Sequence, residues 1–515
     1  MRSLHVDLTA AQKGVNIKAL VKIQLTQGAN DYTYTQTRIK RISHSEEPYS
    51  QTADVVLDNA DGTLTSIDFT GYKGVISWGM TDGNTVDRFS ACAPLWVIGS
   101  QLVSMEGVLV LRLSLAGIPN RLGEDRASEA FFLGSDDNQT LKDLLTQVLK
   151  GLLPLWAAST AYSLDALVVS QDTNGYVYKC TTAGTTAASA PTWPTTIGNT
   201  VADNTVVWTC QGRVINVYDH ANWWTPSFDS EDTLLDSFQP KESFSIGLNE
   251  SRLSVVKWLL NWTKCSIRAQ DDGQPHILQP TVSGTTYDYE YSLAAGEHTF
   301  FNKTYRNRLI IPNSIVVVDV DGESSGYRGL AEDSNSASLL KVQEYHYLAL
   351  GSAAQADAIA AAILEKYSLD AEKGSGLVPV NVGQEVYDYV KITDSRENDN
   401  RVGNILLLNR EYWVGRWTME LRFGPRTGAR LMSTLLPSVR GIGRDTGGGA
   451  GQGGDLEAID ALLNELVVQV NELLAAQWAT IINILESEVR PRLHVTDRLR
   501  IPVGADQFDN TWGGV

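Results

Sequence analysis

The sequence contains no long apolar run and no excess of positive charge. No segment approaches the ~18 consecutive apolar residues of a membrane-spanning helix, and the opening MRSLHVDLTAAQKG lacks the apolar core of a signal peptide. The formal net charge is −18, whereas proteins that grip nucleic acid are normally basic. These absences argue against a membrane span and a free-standing nucleic-acid binder, although an acidic wall would let DNA slide past without sticking.

Cysteine is scarce, and its spacing matches no metal motif. The four cysteines are Cys92, Cys180, Cys210 and Cys265. They form no CxxC pair, and no histidine stands at zinc-ligand spacing from them. We therefore expect neither a disulfide-built fold nor a bound metal.

Catalytic signatures are also missing. The sequence has no HExxH, GxSxG or P-loop motif, and its seven histidines are scattered. Carboxylate pairs are abundant in an acidic chain and single out no hydrolase site. The sequence thus predicts a protein that is not an enzyme and holds no cofactor, with a cell-wall-degrading enzyme as a remote alternative.

Three glycine-containing stretches imitate binding loops. Gly449, Gly451 and Gly454 match a dinucleotide fingerprint, but no βαβ unit precedes them, so we interpret them as linker. LDNADGTLTSID places Leu57 at the first ligand position of a calcium loop and is better explained as a hairpin turn. DVDGESSG at 319–326 also predicts a turn, in which Asp319 and Asp321 could bind a cation weakly.

Alternating apolar residues dominate the rest of the chain. LVKIQL, ADVVLD and LVLRLSL near the start and RWTMELRF near residue 420 have a period of two, which indicates strands with one buried face. We predict a mainly β fold with α-helices (α+β), built from two barrel-like β domains. The predicted domains are an N-terminal β-barrel domain (1–125), a helical connector (126–153), an inserted small β module (154–214), a mixed α/β segment (215–300), a second β-barrel domain with a helix at 352–368 (301–430), a Gly-rich linker (431–454), an oligomerising helix (455–489) and a C-terminal tip (490–515).

Two helices inside this β-rich chain have clear sequence signals. DDNQTLKDLLTQVLKGLL carries an apolar stripe of Leu141, Leu144, Leu145 and Val148, with Asp137 or Asn138 expected as the N-cap. The helix at 352–368 is rich in alanine, and Ser352 is its expected cap.

The region after the Gly-rich linker has an apolar stripe at helical spacing. A lone helix cannot bury such a stripe, and the linker detaches it from the preceding domain, so we predict a bundle with copies of itself, straight or slightly right-handed. The alternative is a helix that folds back on its own chain. The stripe consists of Ile459, Leu463, Leu466, Val470, Leu474, Trp478, Ile481, Leu485 and Val489.

The inserted module at 154–214 is aromatic and nearly uncharged. Tyr178 and Cys180 share one strand face, as do Trp208 and Cys210. If those strands pair, Cys180 and Cys210 could meet and form a disulfide.

This pattern resembles the small chitin-binding-type carbohydrate-binding module found in phage tail and fibre proteins, over about 60 residues. The glycine usual after the second aromatic is replaced by Leu164 and Asp165. The resemblance implies stacking of sugars on exposed rings, whereas a fold this small also needs aromatics as core, which favours a structural decoration. The candidate rings are Trp156, Tyr162, Tyr176, Tyr178, Trp193 and Trp208.

The rest of the chain, into which the module is inserted, resembles the tail-hub or baseplate-hub family of tailed bacteriophages. The strings that carry this resemblance are VVLDNADGTLTSID, NRLIIPNSIVVV and VGQEVYDYVKITD, together with the order of segments over most of residues 1–425. The resemblance implies a homotrimer in the virion tail, assembled in the host cytoplasm, in which two β domains per chain present six to the tail tube.

Implied partners are the chain itself, the tail tube, other tail-tip or baseplate proteins and the tape-measure protein, with DNA only in transit through the channel. A host-surface glycan is a further expected partner if the module reads sugars. The alternative function is therefore a receptor-binding tail protein that uses the 154–214 module.

Overall fold

The computed structural model describes residues 1–14, 18–105, 107–218, 224–306, 309–320, 326–371, 373–397 and 399–424. These residues lie within one compact unit, Met1–Gly443. The predicted C-terminal helix (455–489) and tip (490–515) fall outside the described residues.

The first region is built almost entirely of strands. Their alternating apolar side chains are buried as predicted, for example Ile23, Leu25, Val55 and Leu113. The elements are α1 (Val6–Ala11), β1 (Ala19–Gln27), β2 (Asn30–Thr35), β3 (Ile39–Glu47), β4 (Ser50–Asp58), β5 (Lys73–Thr81), β6 (Asp87–Ala91), β7 (Leu95–Met105), β8 (Val108–Gly117) and α2 (Ile118–Glu124).

The middle of the chain holds the helical connector, the module and a mixed segment. The elements are β9 (Phe131–Phe132), α3 (Leu141–Lys150), β10 (Ala161–Tyr162), β11 (Leu167–Val169), β12 (Tyr176–Thr182), β13 (Gly184–Thr185), β14 (Thr200–Asp203), β15 (Val206–Arg213), β16 (Ser227–Phe228), α4 (Leu234–Ser237), a 3-10 turn (Lys241–Ser243), β17 (Ser245–Ile246), α5 (Arg252–Asn261), β18 (Ser266–Ala269) and β19 (Pro275–Leu278).

The last described region returns to strands around one long helix. The elements are β20 (Tyr289–Ser292), β21 (Asn302–Arg306), β22 (Ser314–Asp319), β23 (Arg328–Glu332), α6 (Ser334–Leu339), β24 (Gln343–Leu348), α7 (Ala353–Ala371), β25 (Lys373–Pro379), β26 (Tyr389–Asp394), β27 (Asp399–Trp413) and β28 (Arg416–Phe423). Ser352 caps α7 as predicted, because its Oγ accepts from the Gln355 amide at 3.2 Å.

The two β regions are joined edge to edge. Strand β3 of the first region pairs antiparallel with β27 of the second, from Glu46 opposite Leu408 to Arg41 opposite Trp413. The resulting path of strands is open, and within the described residues it closes into no barrel. The mainly β class with helices is confirmed, but the expected barrel-like domains are instead two parts of one sheet over a shared core.

A second core lies under the helices. Helices α3, α5 and α7 bury their apolar faces there, together with one face of the sheet β23-β22-β24. That sheet falls within the predicted second β domain but packs on the α/β segment instead. Helix α7 lies so close to β23 that a Cβ at Gly329 would overlap the backbone of Ala356, which explains a glycine in this strand.

Helix α3 begins later than predicted. Its stripe of Leu141, Leu144, Leu145 and Val148 is fully buried as expected, but the N-cap is Thr140 rather than Asp137 or Asn138. The Thr140 side chain accepts from the Asp143 amide, and the Asp143 carboxylate accepts from the Thr140 amide, which completes a capping box. The Asp137 carboxylate instead accepts from the Gly134 and Arg213 amides.

His298 makes the first core sensitive to acid. The ring is 1% exposed, and its Nδ1 lies 2.9 Å from the Tyr289 hydroxyl. Burial, reinforced by the nearby Lys13 ammonium, lowers the pKa of His298 to about 4. Because the folded pKa lies below that of the unfolded chain, the stabilisation is complete above about pH 6.5 and is lost as pH falls towards 4.

We therefore expect the free energy of unfolding to fall by on the order of 2–3 kcal/mol over that interval because of His298 alone. Urea unfolding at several pH values should show a shallower acid loss for His298→Gln than for the parent. His5→Gln, at an exposed histidine, is the control. Equal acid losses in the parent and His298→Gln would contradict this assignment.

Candidate interaction sites

The inserted module forms its own small sheet, β11-β12-β15-β14, with β10-β13 beside it. Strands β12 and β15 are antiparallel, with Tyr178 opposite Cys210 and Cys180 opposite Trp208. All four side chains are buried on the face that forms the core of the module. Both cysteines are free, so the possible disulfide between them is not formed. The register explains this, since each cysteine lies opposite an aromatic residue rather than opposite the other cysteine.

Three of the six candidate sugar-stacking rings are core residues. Trp156, Tyr178 and Trp208 are at most 2% exposed, so their ring faces are not offered to a ligand. The partly exposed rings are Tyr162, Tyr176 and Trp193, which pack against the edge of the same core.

One carboxylate organises the core of the module. The Oδ2 atom of Asp203 accepts hydrogen bonds from the indole nitrogens of Trp156 at 2.7 Å and Trp208 at 3.0 Å. Its Oδ1 atom accepts from the Ala187 amide at 2.8 Å. A buried carboxylate with three donors is well satisfied, and it fixes both tryptophans in place.

Asp203→Asn is therefore expected to destabilise the module selectively. The amide has a single oxygen, so at least one buried donor loses its acceptor, at a cost of about 1–3 kcal/mol for each donor. Hydrogen exchange followed by mass spectrometry should show faster exchange in β12 and β15, with α5 and β27 unchanged. Asp172→Asn, an exposed carboxylate of the same module, is the matched control. Unchanged protection in β15 would show that Asp203 does not hold this core.

The module contacts helix α3 and the segment that precedes it. Lys179 on β12 forms an ion pair with Asp143 of α3 at 3.1 Å. The Asp137 carboxylate accepts from the Arg213 amide at the end of β15, and the Asn138 amide donates to the Gln211 carbonyl at 2.9 Å. The segment before α3 thus contacts β15, and α3 itself contacts β12.

A buried polar cluster lies where the two β regions join. On β3, His44 and Glu46 share one face, with Arg410 of β27 opposite His44 and Gln51 of β4 opposite Glu46. Arg410 is fully buried; its Nη1 donates to Glu46 Oε2 at 3.0 Å, and its Nη2 donates to the Gln384 carbonyl. The cluster therefore ties β3, β27 and the segment before β26 together.

Two further residues complete this junction cluster. Arg2 donates from its terminal nitrogens to the carbonyls of Ala91 and Val382, both at 2.6 Å, and Cys92 follows directly after β6. Burial alone would raise the pKa of the Cys92 thiol, but Arg2, His44 and Arg410 outweigh it and lower that pKa to about 7.

The carboxyl group at this junction is held ionised. Burial would raise the pKa of Glu46, but Arg410, His44 and Arg2 lower it to about 2. The alternation Ile42-x-His44-x-Glu46 places these side chains on one face, but their partners come from distant segments. No local sequence signal therefore marks this cluster.

The sheet β23-β22-β24 has an exposed apolar face opposite α7. Leu330 and Tyr345 flank Val316 in one cross-strand row, and Tyr347 lies beside Val318 in the next. Leu330, Tyr345 and Tyr347 are 52%, 43% and 46% exposed. Val316, between the first two, is fully buried, so the exposed apolar surface consists of these three side chains, which we call the outer sheet face.

Comparisons with known proteins give structural neighbours only. No family model and no curated protein matches the chain. A tail protein from Neisseria meningitidis is 10% identical with a TM-score of 0.45, covering 79% of this chain and 97% of its own. The 43 kDa tail protein of prophage MuSo2 from Shewanella oneidensis is 10% identical with a TM-score of 0.44, covering 78% and 97%.

A third neighbour comes from a secretion system. The Escherichia coli c3393 protein, a type VI secretion component described as similar to the T4 tail proteins gp27 and gp5, is 9% identical with a TM-score of 0.39 and covers 81% of this chain and 80% of its own. The structural neighbours are thus phage tail proteins and a related secretion component. Among the described helices, none combines the length and apolar character needed to cross a bilayer.

Proposed function

We propose that the chain is a structural hub protein of a phage tail, a homotrimer that joins the tail tube to the tail tip and surrounds the DNA channel. The observation that carries the proposal is the pairing of β3 with β27, which makes the two β regions one body with a shared core. Such a chain holds its two β regions at fixed positions relative to each other. Three chains would then place six β regions around a common axis.

The surface of the body also supports an assembly role. The outer sheet face exposes Leu330, Tyr345 and Tyr347, and tyrosine is among the residues enriched at protein interfaces. Neighbouring tail proteins, including the tube and tip proteins, are the expected class of partner. In the described part of the chain β23 and β24 pair only with β22, so a partner strand could add to their outer edges.

The charge and the C-terminal pattern complete the argument. A net charge of −18 suits a channel wall along which DNA and the tape-measure protein pass without adhering. The apolar stripe from Ile459 to Val489 provides a means of self-association on the same axis.

The test is the mass of the purified full-length chain in solution. Size-exclusion chromatography with light scattering should give three times the chain mass of 56.3 kDa. A single-chain mass across the concentration range of the experiment would contradict the trimeric hub.

A second candidate function is recognition of a host glycan by the module. It is favoured by the partly exposed rings of Tyr162, Tyr176 and Trp193, since aromatic faces stack on the apolar C–H faces of sugars. Tyr176→Ala with Trp193→Ala should abolish binding to a glycan array while leaving the oligomeric mass unchanged. Absence of binding by the parent protein would leave the module a structural role only.

A further inference from the structure

The junction cluster contains three metal-ligating side chains that converge. The imidazole of His44, the carboxylate of Glu46 and the thiol of Cys92 each offer one atom within 4.8 Å of the other two, and this is the one such group among the described residues. His44 and Cys92 are fully buried, and the Glu46 side chain is 13% exposed. A set of one nitrogen, one oxygen and one sulfur ligand suits zinc and similar borderline metals.

One of the three ligand–ligand distances matches a shared metal. His44 Nε2 and Glu46 Oε1 are 3.4 Å apart. Two ligands bound to one tetrahedral zinc at about 2.0–2.1 Å stand about 3.4 Å from each other. Arg410 holds Glu46 Oε2 at 3.0 Å and so turns Oε1 towards His44, as groups behind a ligand do in metal centres.

A small cavity adjoins Glu46, whereas His44 and Cys92 are not among the residues that line it. Its volume is about 30 Å³, and Glu46, Gln51, Arg2 and Ala93 are among the residues that line it. This volume accommodates a water molecule beside Glu46. Gln51 turns its amide nitrogen towards the cluster, with Nε2 3.4 Å from His44 Nε2, a contact that metal binding at His44 would replace.

The charges at the junction are compatible with a dication. Zinc bound by one thiolate and one carboxylate is formally neutral, which limits its repulsion by Arg2 and Arg410. The terminal nitrogens of Arg2 are held by the carbonyls of Ala91 and Val382, and the Arg2 guanidinium also interacts with the Cys92 sulfur, an interaction that the metal would replace. We propose that His44, Glu46 and Cys92 form a zinc-class metal site at the junction of the two β regions.

A bound metal would link separate segments of the chain at the junction. Its ligands come from β3 and from the segment after β6, and Arg410 of β27 holds one of them from the other side. Metal binding would therefore stabilise the junction between the β regions. This proposal is independent of trimer formation. A trimeric protein that binds no metal would therefore overturn the proposed metal site and leave the proposed hub function standing.

Cobalt binding to the full-length chain is the test. After treatment with a chelator, the protein is titrated with Co²⁺ and its absorption recorded, and Zn²⁺ retained after dialysis is measured by elemental mass spectrometry. We expect one tightly held ion per chain and a thiolate-to-cobalt charge-transfer band. No charge-transfer band in the parent protein would overturn the proposal, whatever the variants do.

The variants assign the ligands. Cys92→Ser should lose the charge-transfer band, and His44→Gln should lower the retained zinc at least tenfold. Cys265→Ser, which removes another buried free thiol, should leave both signals unchanged. A band that persists in Cys92→Ser but disappears in Cys265→Ser would place the metal elsewhere and contradict the assignment.

Discussion

Replacement of Arg410 by methionine is expected to lower the free energy of unfolding by about 3–5 kcal/mol, the cost typical of removing one partner of a buried ion pair. Arg410 is fully buried, and its loss leaves the Glu46 carboxylate without its strongest counter-charge. It also removes a donor to the Gln384 carbonyl. Urea unfolding of the full-length protein, with hydrogen exchange in β3 and β27, measures the effect.

The matched control is Arg422→Met on β28. Arg422 is 39% exposed and pairs with Glu420 at the surface, so its removal should cost less than about 1 kcal/mol. Adding Glu46→Gln to Arg410→Met should recover part of the loss, because the uncompensated charge is removed. If Arg410→Met and Arg422→Met were equally stable, the junction cluster would not hold the two β regions together.

Deletion of residues 455–515 is expected to abolish or strongly weaken trimer formation. The deleted segment contains the apolar stripe from Ile459 to Val489, which a single helix cannot bury. Light scattering of the truncated protein at matched concentrations should show the mass of one chain as the main species.

A second variant separates loss of the stripe from loss of the tip. Leu466→Glu with Leu474→Glu keeps the full length but places charges on the stripe, and it should reduce the mass to the same extent. Glu457→Gln, which leaves the apolar stripe intact, is the control. A truncated protein that keeps the parent mass would show that the stripe does not drive self-association.

Much of the local structure follows from sequence periodicity. The period of two in β1, β4, β8 and β28 and the stripe of α3 identify which side chains are buried, because burial of one face sets the spacing. The sequence predicts the N-cap of α3 at Asp137 or Asn138, three or two residues before the observed N-cap, Thr140. Several polar residues precede this helix, and the capping box with Asp143 selects Thr140.

The long-range arrangement was not predictable in the same way. The pairing of β3 with β27 joins strands more than 350 residues apart, and neither strand alone indicates its partner. For the same reason the sequence could not show Cys92 and Arg410 beside His44. The possible disulfide between Cys180 and Cys210 is excluded by the strand register, which a spacing of two along each strand does not determine.

The position of the chain in an intact virion tail tests the central claim most directly. A cryo-electron microscopy reconstruction of the tail end should show three copies around the tail axis, with the β3–β27 sheet at the junction of tube and tip and the modules at 154–214 within the same ring. A single copy at the periphery, away from the axis, would contradict the proposed role as a trimeric hub.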